Sequence, residues 1–302
     1  MKDFPWWMGL APLLGFLLDA LLGGSRVDAG LEDRVRLVGT RMRRVMQASF
    51  RGERAGYAHM IWMGSWGAVA GWAIPVLGYV VFQEYGLFLV RALVFFLMFS
   101  ARRLTMEGIQ SLAWIATGEA DKARALMSRF ARLPADHDAR AWFGALTTGL
   151  CAGTLGATLL PFFWGTLGGT TLAGAALAAH LGAASRPEVV PEEDAAFWRA
   201  VARVDHWITA PAVWLGGLTP MVLGAVGGSV DRGLRGWMSP AAVPEERMAA
   251  VAVHGFGLPT RPDGTVEAEP GAVQQVVQVL FLAGFLTAAV CSAVGAFLHW
   301  LI

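Results

Sequence analysis

Apolar residues run along this chain in long blocks, not at the alternating spacing of a strand or the one-sided spacing of a surface helix. From Trp142 to Ser185 no side chain carries a formal charge for more than forty residues. No core helix of a water-soluble domain is that long, so hydrocarbon is the expected solvent. The run is too long for a single crossing. Pro161 with Gly165, Gly168 and Gly169 is expected to break it into two shorter helices joined by a tight bend buried in protein. Small residues on the two halves (Gly149, Gly153, Gly156, then Ala175, Ala178, Ala179) let helix backbones approach closely.

The same pattern divides the rest of the chain. An apolar helix is expected from about Phe4 to Leu22, with Trp6 and Trp7 at the lipid interface. Residues Ser25 to Arg54 follow as an arginine-rich loop (Arg34, Arg36, Arg41, Arg43, Arg44, Arg51, Arg54), placed inside by the positive-inside rule. Apolar segments from about Tyr57 to Phe82, kinked near Pro75, and from Leu87 to Ser100 are separated by Gln83-Glu84-Tyr85-Gly86 and read as an antiparallel hairpin. Residues 101–140 read as a cytoplasmic amphipathic region, with a helix from Glu119 to Leu133 that lies on the membrane or docks on the bundle. A further segment spans Trp207 to Gly228, residues 229–274 form a polar, turn-rich excursion, and Val276 to Ile302 crosses once more. The fold class is therefore all-α. It is a polytopic helical membrane bundle of about seven apolar segments with a broken central pair, treated as one integral membrane domain over residues 1–302.

Composition agrees: 55% of the 302 residues are hydrophobic and 16% charged, against about 25% charged in soluble domains. A net charge of +1 leaves no clustered cationic excess for nucleic acid, so none is expected as a partner. The expected partners are the lipid bilayer and a second membrane protein or another copy of the chain. Cys151 and Cys291 lie inside apolar stretches and read as small core residues. The N-terminal segment has Lys2 and an apolar run but no small-x-small cleavage pattern, and Asp19 stands near its end, so it reads as retained.

The six histidines show no metal-ligand spacing, and no metal site is expected. Asp19 and Arg91 stand inside apolar helices, where an ionised side chain costs about 2.5–3.5 kcal/mol at the bilayer centre. They either pair with each other or reach the interface by bending their side chains. His180, in the second half of the central run, is a candidate ligand or proton-relay group.

Several stretches then resemble a known family. Leu18-Asp19-Ala20-Leu21-Leu22-Gly23 followed by Val35-Arg36-Leu37-Val38-Gly39 is similar to the opening of the CobD/CbiB membrane proteins of cobalamin biosynthesis. Thr117-Gly118-Glu119-Ala120-Asp121-Lys122-Ala123-Arg124 resembles that family's amphipathic helix. Leu160-Pro161-Phe162-Phe163-Trp164 with Leu167-Gly168-Gly169 resembles its Pro-Leu-Phe and Gly-Gly segment, and Ala202-Arg203-Val204-Asp205 with Pro211 its Ala-Arg-x-Asp-Asp stretch. The resemblance implies a multi-pass protein of the bacterial inner membrane. It makes Gly23, Gly39, Pro161, Gly168 and Gly169 structural motif positions and leaves Asp19, Arg36 and Asp205 as polar candidates; together with Arg91 and His180, singled out by their place in apolar helices, these are the ligand-binding candidates.

Members of that family join an amino-alcohol to a corrinoid carboxylate with ATP, chemistry that needs acidic side chains around magnesium and nucleotide. Here the family's acidic stretch falls on Thr148, Ala152, Gly153, Gly156 and Ala157, and every acid is gone. The resemblance thus implies a scaffold that has lost its chemistry, close to the AmpE-like branch, and a regulatory, sensing or accessory role with no cofactor. Two alternatives stand beside it. One is a divergent cobinamide-phosphate synthase that uses ATP, magnesium and a corrinoid and draws acids from Glu188, Glu192, Glu193 and Asp194. The other is a structural subunit of a membrane complex.

Overall fold

A computed structural model of the chain describes residues 6–22, 26–127, 131, 138–187, 190–239 and 244–301. Among the described residues it is helical, with one isolated bridge, Thr260 to Val266, in place of any strand. Five helical stretches are long and apolar enough to cross a membrane: Glu53–Val81, Gln83–Ala116, Ala139–Ala183, Glu192–Val226 and Pro270–Leu298. Seven segments were expected from the pattern. The difference lies in the N-terminal helix, Trp7–Leu22, which is too short to count, and in the central run, which forms one stretch of 45 residues. At 1.5 Å per residue a 29-residue span reaches about 43 Å, ample for a hydrocarbon layer of about 30 Å.

The chain divides into two compact units. Met1–Ser100, Leu160–Ala212 and Ala288–Ile302 form the first, and Ala101–Leu159 with Val213–Thr287 the second.

In the first unit, α1 (Ala11–Leu22) follows a 3-10 turn at Trp6–Leu10, and α2 (Arg26–Ser49) fills most of the stretch expected to be a loop. The correction has a simple cause. Arginine density reads as loop, yet Val35, Gly39, Met42 and Met46 recur at helical spacing, and all are buried or half-buried while Arg34, Arg41 and Arg44 are exposed. Residues 50–52 turn the chain at Gly52, whose φ of 56° favours glycine, into α3 (Glu53–Met98).

The break in α3 falls at Gln83 (φ 56°, ψ −144°), not at Pro75, which stays inside the helix. A Cβ added to Gly78 would press on Val90; in a straight helix these residues stand about 18 Å apart, so the chain reverses at Gln83. The expected hairpin is present, with one residue as its link in place of four. Its first limb leaves Ile61, Trp66, Trp72, Leu77 and Val80 exposed, a face suited to hydrocarbon.

The central run breaks in a similar way. α7 (Leu160–Ala183) is interrupted at Gly168 (φ −148°, ψ 26°) and Gly169 (φ 61°, ψ −157°), while Pro161 sits within the helix. A π turn at Leu155–Leu159 precedes that proline and widens the backbone where its ring would strike the preceding carbonyls. The glycine pair, not the proline, therefore makes the bend. Past it, Thr170 Oγ1 donates to the Gly71 carbonyl at 2.6 Å, and a Cβ on Gly67 would strike the Gly174 carbonyl. Gly67 and Gly71 form a small-xxx-small face that meets Thr170 and Gly174, so two backbones touch without intervening side chains. α8 (Ala195–Val213) packs Phe197, Trp198 and Val201 against Ala55, Met60 and Ala179. Trp164 Nε1 also donates to the Ile208 carbonyl at 3.0 Å.

In the second unit, α4 (Ala101–Ala116), α5 (Ala120–Met127) and α6 (Ala139–Thr154) build a core with α12 (Pro270–Leu301) around Ile115, Trp142, Leu146, Leu150 and Val276. Part of the 101–140 region is therefore bundle core as well as surface. The amphipathic helix expected to reach Leu133 is α5, and residues 128–130 and 132–137 lie outside the described residues. Residues 229–274, expected to be irregular, contain α10 (Val230–Met238) and α11 (Pro244–Phe256) after a short α9 (Thr219–Leu223). Only the segment around 257–269 is the turn-rich excursion, clamped by Arg261, which pairs with Asp138 and donates through Nε to Glu267 at 2.5 Å.

Candidate functional site

His180, near the end of α7, and Asp205, in the middle of α8, were singled out separately in the sequence, and the fold brings them together. His180 Nδ1 lies 3.0 Å from Asp205 Oδ1, with the side chains 17% and 18% exposed. The carboxylate holds Nδ1–H, so Nε2 is the basic nitrogen of the neutral ring, the arrangement that fixes an imidazole for proton exchange or ligand contact. Thr209 Oγ1 donates to the Asp205 carbonyl at 2.8 Å one turn further on.

The remaining sequence candidates are dispersed. Asp19 is fully buried in α1, Arg91 is half-buried in the second limb of α3, and Arg36 is half-buried on α2. Trp7 packs on Tyr85 and Phe88, and Phe16 on Phe99, so α1 and that limb run in the same direction. Gly39 is buried on α2 beside Met63 and Gly182, Pro161 is buried at the start of α7, and Gly168 and Gly169 make its break. Gly23 and Glu188 lie outside the described residues. Of the other loop acids, Asp194 accepts from Gln47 Nε2 at 2.7 Å, while Glu192 and Glu193 are exposed. Among the described residues no three His, Cys, Asp or Glu side chains group in a way that holds a metal ion.

Where the sequence had placed Thr148, Ala152, Gly153, Gly156 and Ala157 together, the second unit shows helix packing. A Cβ on Gly153 would lie 3.1 Å from Leu104, Ala157 is buried, and Thr148 bonds the Gly144 and Ala145 carbonyls of its own helix, both at 3.1 Å.

A second polar cluster was not foreseen. His59 on α3 is completely buried, its ring tilted against Phe197 at 5.6 Å. Trp198, on α8, is also buried and receives the Arg43 guanidinium over its ring at 5.7 Å. Both His59 ring nitrogens, Trp198 Nε1 and Arg43 Nε are buried without a full hydrogen bond among the described residues; the His59 ring has a weak polar contact with the Gly182 backbone. An orphaned buried donor costs about 1–3 kcal/mol, so several in one place call for an explanation. The available signal was a histidine inside an apolar block, His59, opposite an arginine on a preceding amphipathic helix.

Comparison with known proteins finds no matching family model, no matching curated protein and no matching solved structure.

Proposed function

We propose that this chain is a multi-pass protein of the bacterial inner membrane, built on a CobD/CbiB-like scaffold, that acts by binding, as a sensor or accessory subunit. The observation that supports this reading is the surface at Gly153 and Ala157. A catalytic version would need carboxylates there to hold magnesium and nucleotide, and this chain offers only packing against Leu104. Replacing such a constellation with Thr, Ala and Gly removes the charge that would stabilise a phosphoryl or acyl transition state. The basic stretches on α2 and at Arg102 and Arg103 would face the cytoplasm. In this reading the scaffold contributes its lipid-embedded frame, and the His180–Asp205 pair is the polar group through which a ligand or proton would be sensed.

The test is complementation of a bacterial strain that lacks adenosylcobinamide-phosphate synthase, with expression of the chain verified in the membrane fraction. No rescue of cobinamide-phosphate formation is expected. Rescue would assign the chain to the catalytic branch and overturn the proposal.

A further inference from the structure

The orphaned donors on α2, α3 and α8 lie at one level of the first unit. α2 and α3 are joined by the turn at residues 50–52, and Gly39 and Met63, each ten residues from that turn, meet: a Cβ on Gly39 would stand 3.5 Å from Met63 Cε. The two helices are therefore antiparallel and in register. Arg43 and His59, each six residues from the turn, face each other one helical turn closer to it. α8 closes this level, because Phe197 lies against His59 while Trp198 lies under Arg43, with the two aromatic rings 5.0 Å apart.

Donors predominate in the cluster. A guanidinium N–H, an indole N–H and one imidazole N–H offer hydrogens, the guanidinium adds a positive charge, and the second imidazole nitrogen can accept from the hydroxyl of a monoprotonated guest. Among the described residues, Asp194 accepts from Gln47, Asp205 pairs with His180, and Glu53 lies 3.7 Å from Arg203, which also donates to Tyr57 Oη at 2.7 Å, so these three acids are engaged elsewhere. A guest that satisfies these donors carries several acceptor oxygens and negative charge. The cluster lies within two turns of the start of the Glu53–Val81 stretch, on the arginine-rich side, the end that would meet lipid phosphates if this stretch crosses a bilayer.

We infer that Arg43, His59 and Trp198 form a binding site for a phosphate group, supplied by a phospholipid headgroup or by free phosphate. The inference does not depend on the loss of synthase chemistry at Gly153 and Ala157 or on the His180–Asp205 pair, so failure of either leaves it standing. The indole N–H of Trp198 reports on it directly. Full-length protein labelled with 15N at tryptophan, purified in a phosphate-free maltoside detergent, gives an indole resonance assigned by its loss in Trp198→Phe. Two titrations separate the sources: inorganic phosphate alone, and phosphatidic acid with diacylglycerol of the same chains as the phosphate-free control.

A saturable shift of the Trp198 signal in either titration, absent with diacylglycerol, is expected, and the arm in which it occurs identifies the source. Arg43→Gln should weaken that binding at least tenfold while the other indole signals stay in place. If that variant does not fold, Arg43→Lys, which keeps the charge but loses Nε, should weaken it at least threefold. A Trp198 signal that moves with neither phosphate source, that moves equally with diacylglycerol, or that titrates identically in the folded Arg43 variant would overturn the assignment.

Discussion

The two units treat their polar groups differently. The second unit closes its charges on one another: Arg103 pairs with Glu107 one turn along α4 at 2.9 Å, and Arg261 is shared between Asp138 and Glu267 at the edge of the turn-rich excursion. Its interior is mainly an apolar core around Trp142, Leu146 and Val276, in which Ser111, Thr147, Thr287 and the Trp237 indole are scattered buried polar groups without a hydrogen-bond partner among the described residues. The first unit instead gathers Arg43 Nε, the Trp198 indole N–H and the His59 ring nitrogens, none fully hydrogen-bonded among the described residues, at one level, and it also carries the His180–Asp205 pair. Internally paired charges hold a shape, whereas donors left open in a buried place keep a capacity to recognise something. The scattered polar groups of the second unit sit singly in a packed frame, whereas the gathering of a guanidinium, an indole and an imidazole makes the first unit the place to look for ligand chemistry.

The contrast can be broken most forcefully at the glycine crossing of the first unit. Gly67→Leu forces a side chain into the Gly174 carbonyl, where overpacking of about 3 kcal/mol or more is expected. Thermal unfolding in detergent should show a large loss of stability, whereas Gly271→Ala, with open space around its Cβ, should unfold like the parent chain. Equal behaviour of the two would dissolve the crossing.

Next in size, Asp205→Asn removes the carboxylate that fixes His180 and is expected to cost about 1 kcal/mol after allowance for partial exposure. The sharper readout is the 15N spectrum of His180, which should lose its single tautomer. Arg261→Ala, in the second unit, removes two partly exposed pairings, each worth up to about 1 kcal/mol. It should raise hydrogen exchange in residues 257–269 while leaving the His180 spectrum unchanged. The smallest effect concerns Asp263, whose carboxyl is held below the usual aspartate range chiefly by the Thr265 backbone N–H, which donates to Oδ1 at 2.9 Å. A depressed folded-state pKa stabilises the turn at pH above the ordinary aspartate value of about 3.9 and loses that stabilisation as pH falls through the folded value. Exchange at the Thr265 amide should therefore accelerate only in acid, with the rest of the second unit unaffected.

The all-helical class and its helices long and apolar enough to cross a membrane were legible because uncharged blocks of this length are far longer than a soluble core helix needs. The hairpin after the first span was legible too, since a link so short leaves no other path. Its pivot was not: proline at 75 is the stronger local signal, yet a membrane helix absorbs proline, and the reversal went to Gln83. The same competition was decided against Pro161 and for Gly168 and Gly169, where one φ is positive. α10 was hidden within a stretch read as polar and turn-rich, and it contains Gly233 and Gly236. Their role is contact, for a Cβ on Gly236 would meet the Ala250 backbone and one on Gly233 would meet Leu223. His180 and Asp205 could each be picked out as polar residues within or beside apolar helices, but their pairing depends on how α7 and α8 slide past each other, which periodicity within one helix does not encode. Arg43, His59 and Trp198 share that limitation.

The central functional claim is that the scaffold carries no synthase chemistry where Gly153 and Ala157 now pack. The direct measurement incubates purified protein with ATP, Mg²⁺, adenosylcobyric acid and an amino-alcohol, and follows the corrinoid by mass spectrometry. No ATP-dependent amide product is expected at any protein concentration. Product that accumulates in proportion to protein and requires ATP would contradict the account.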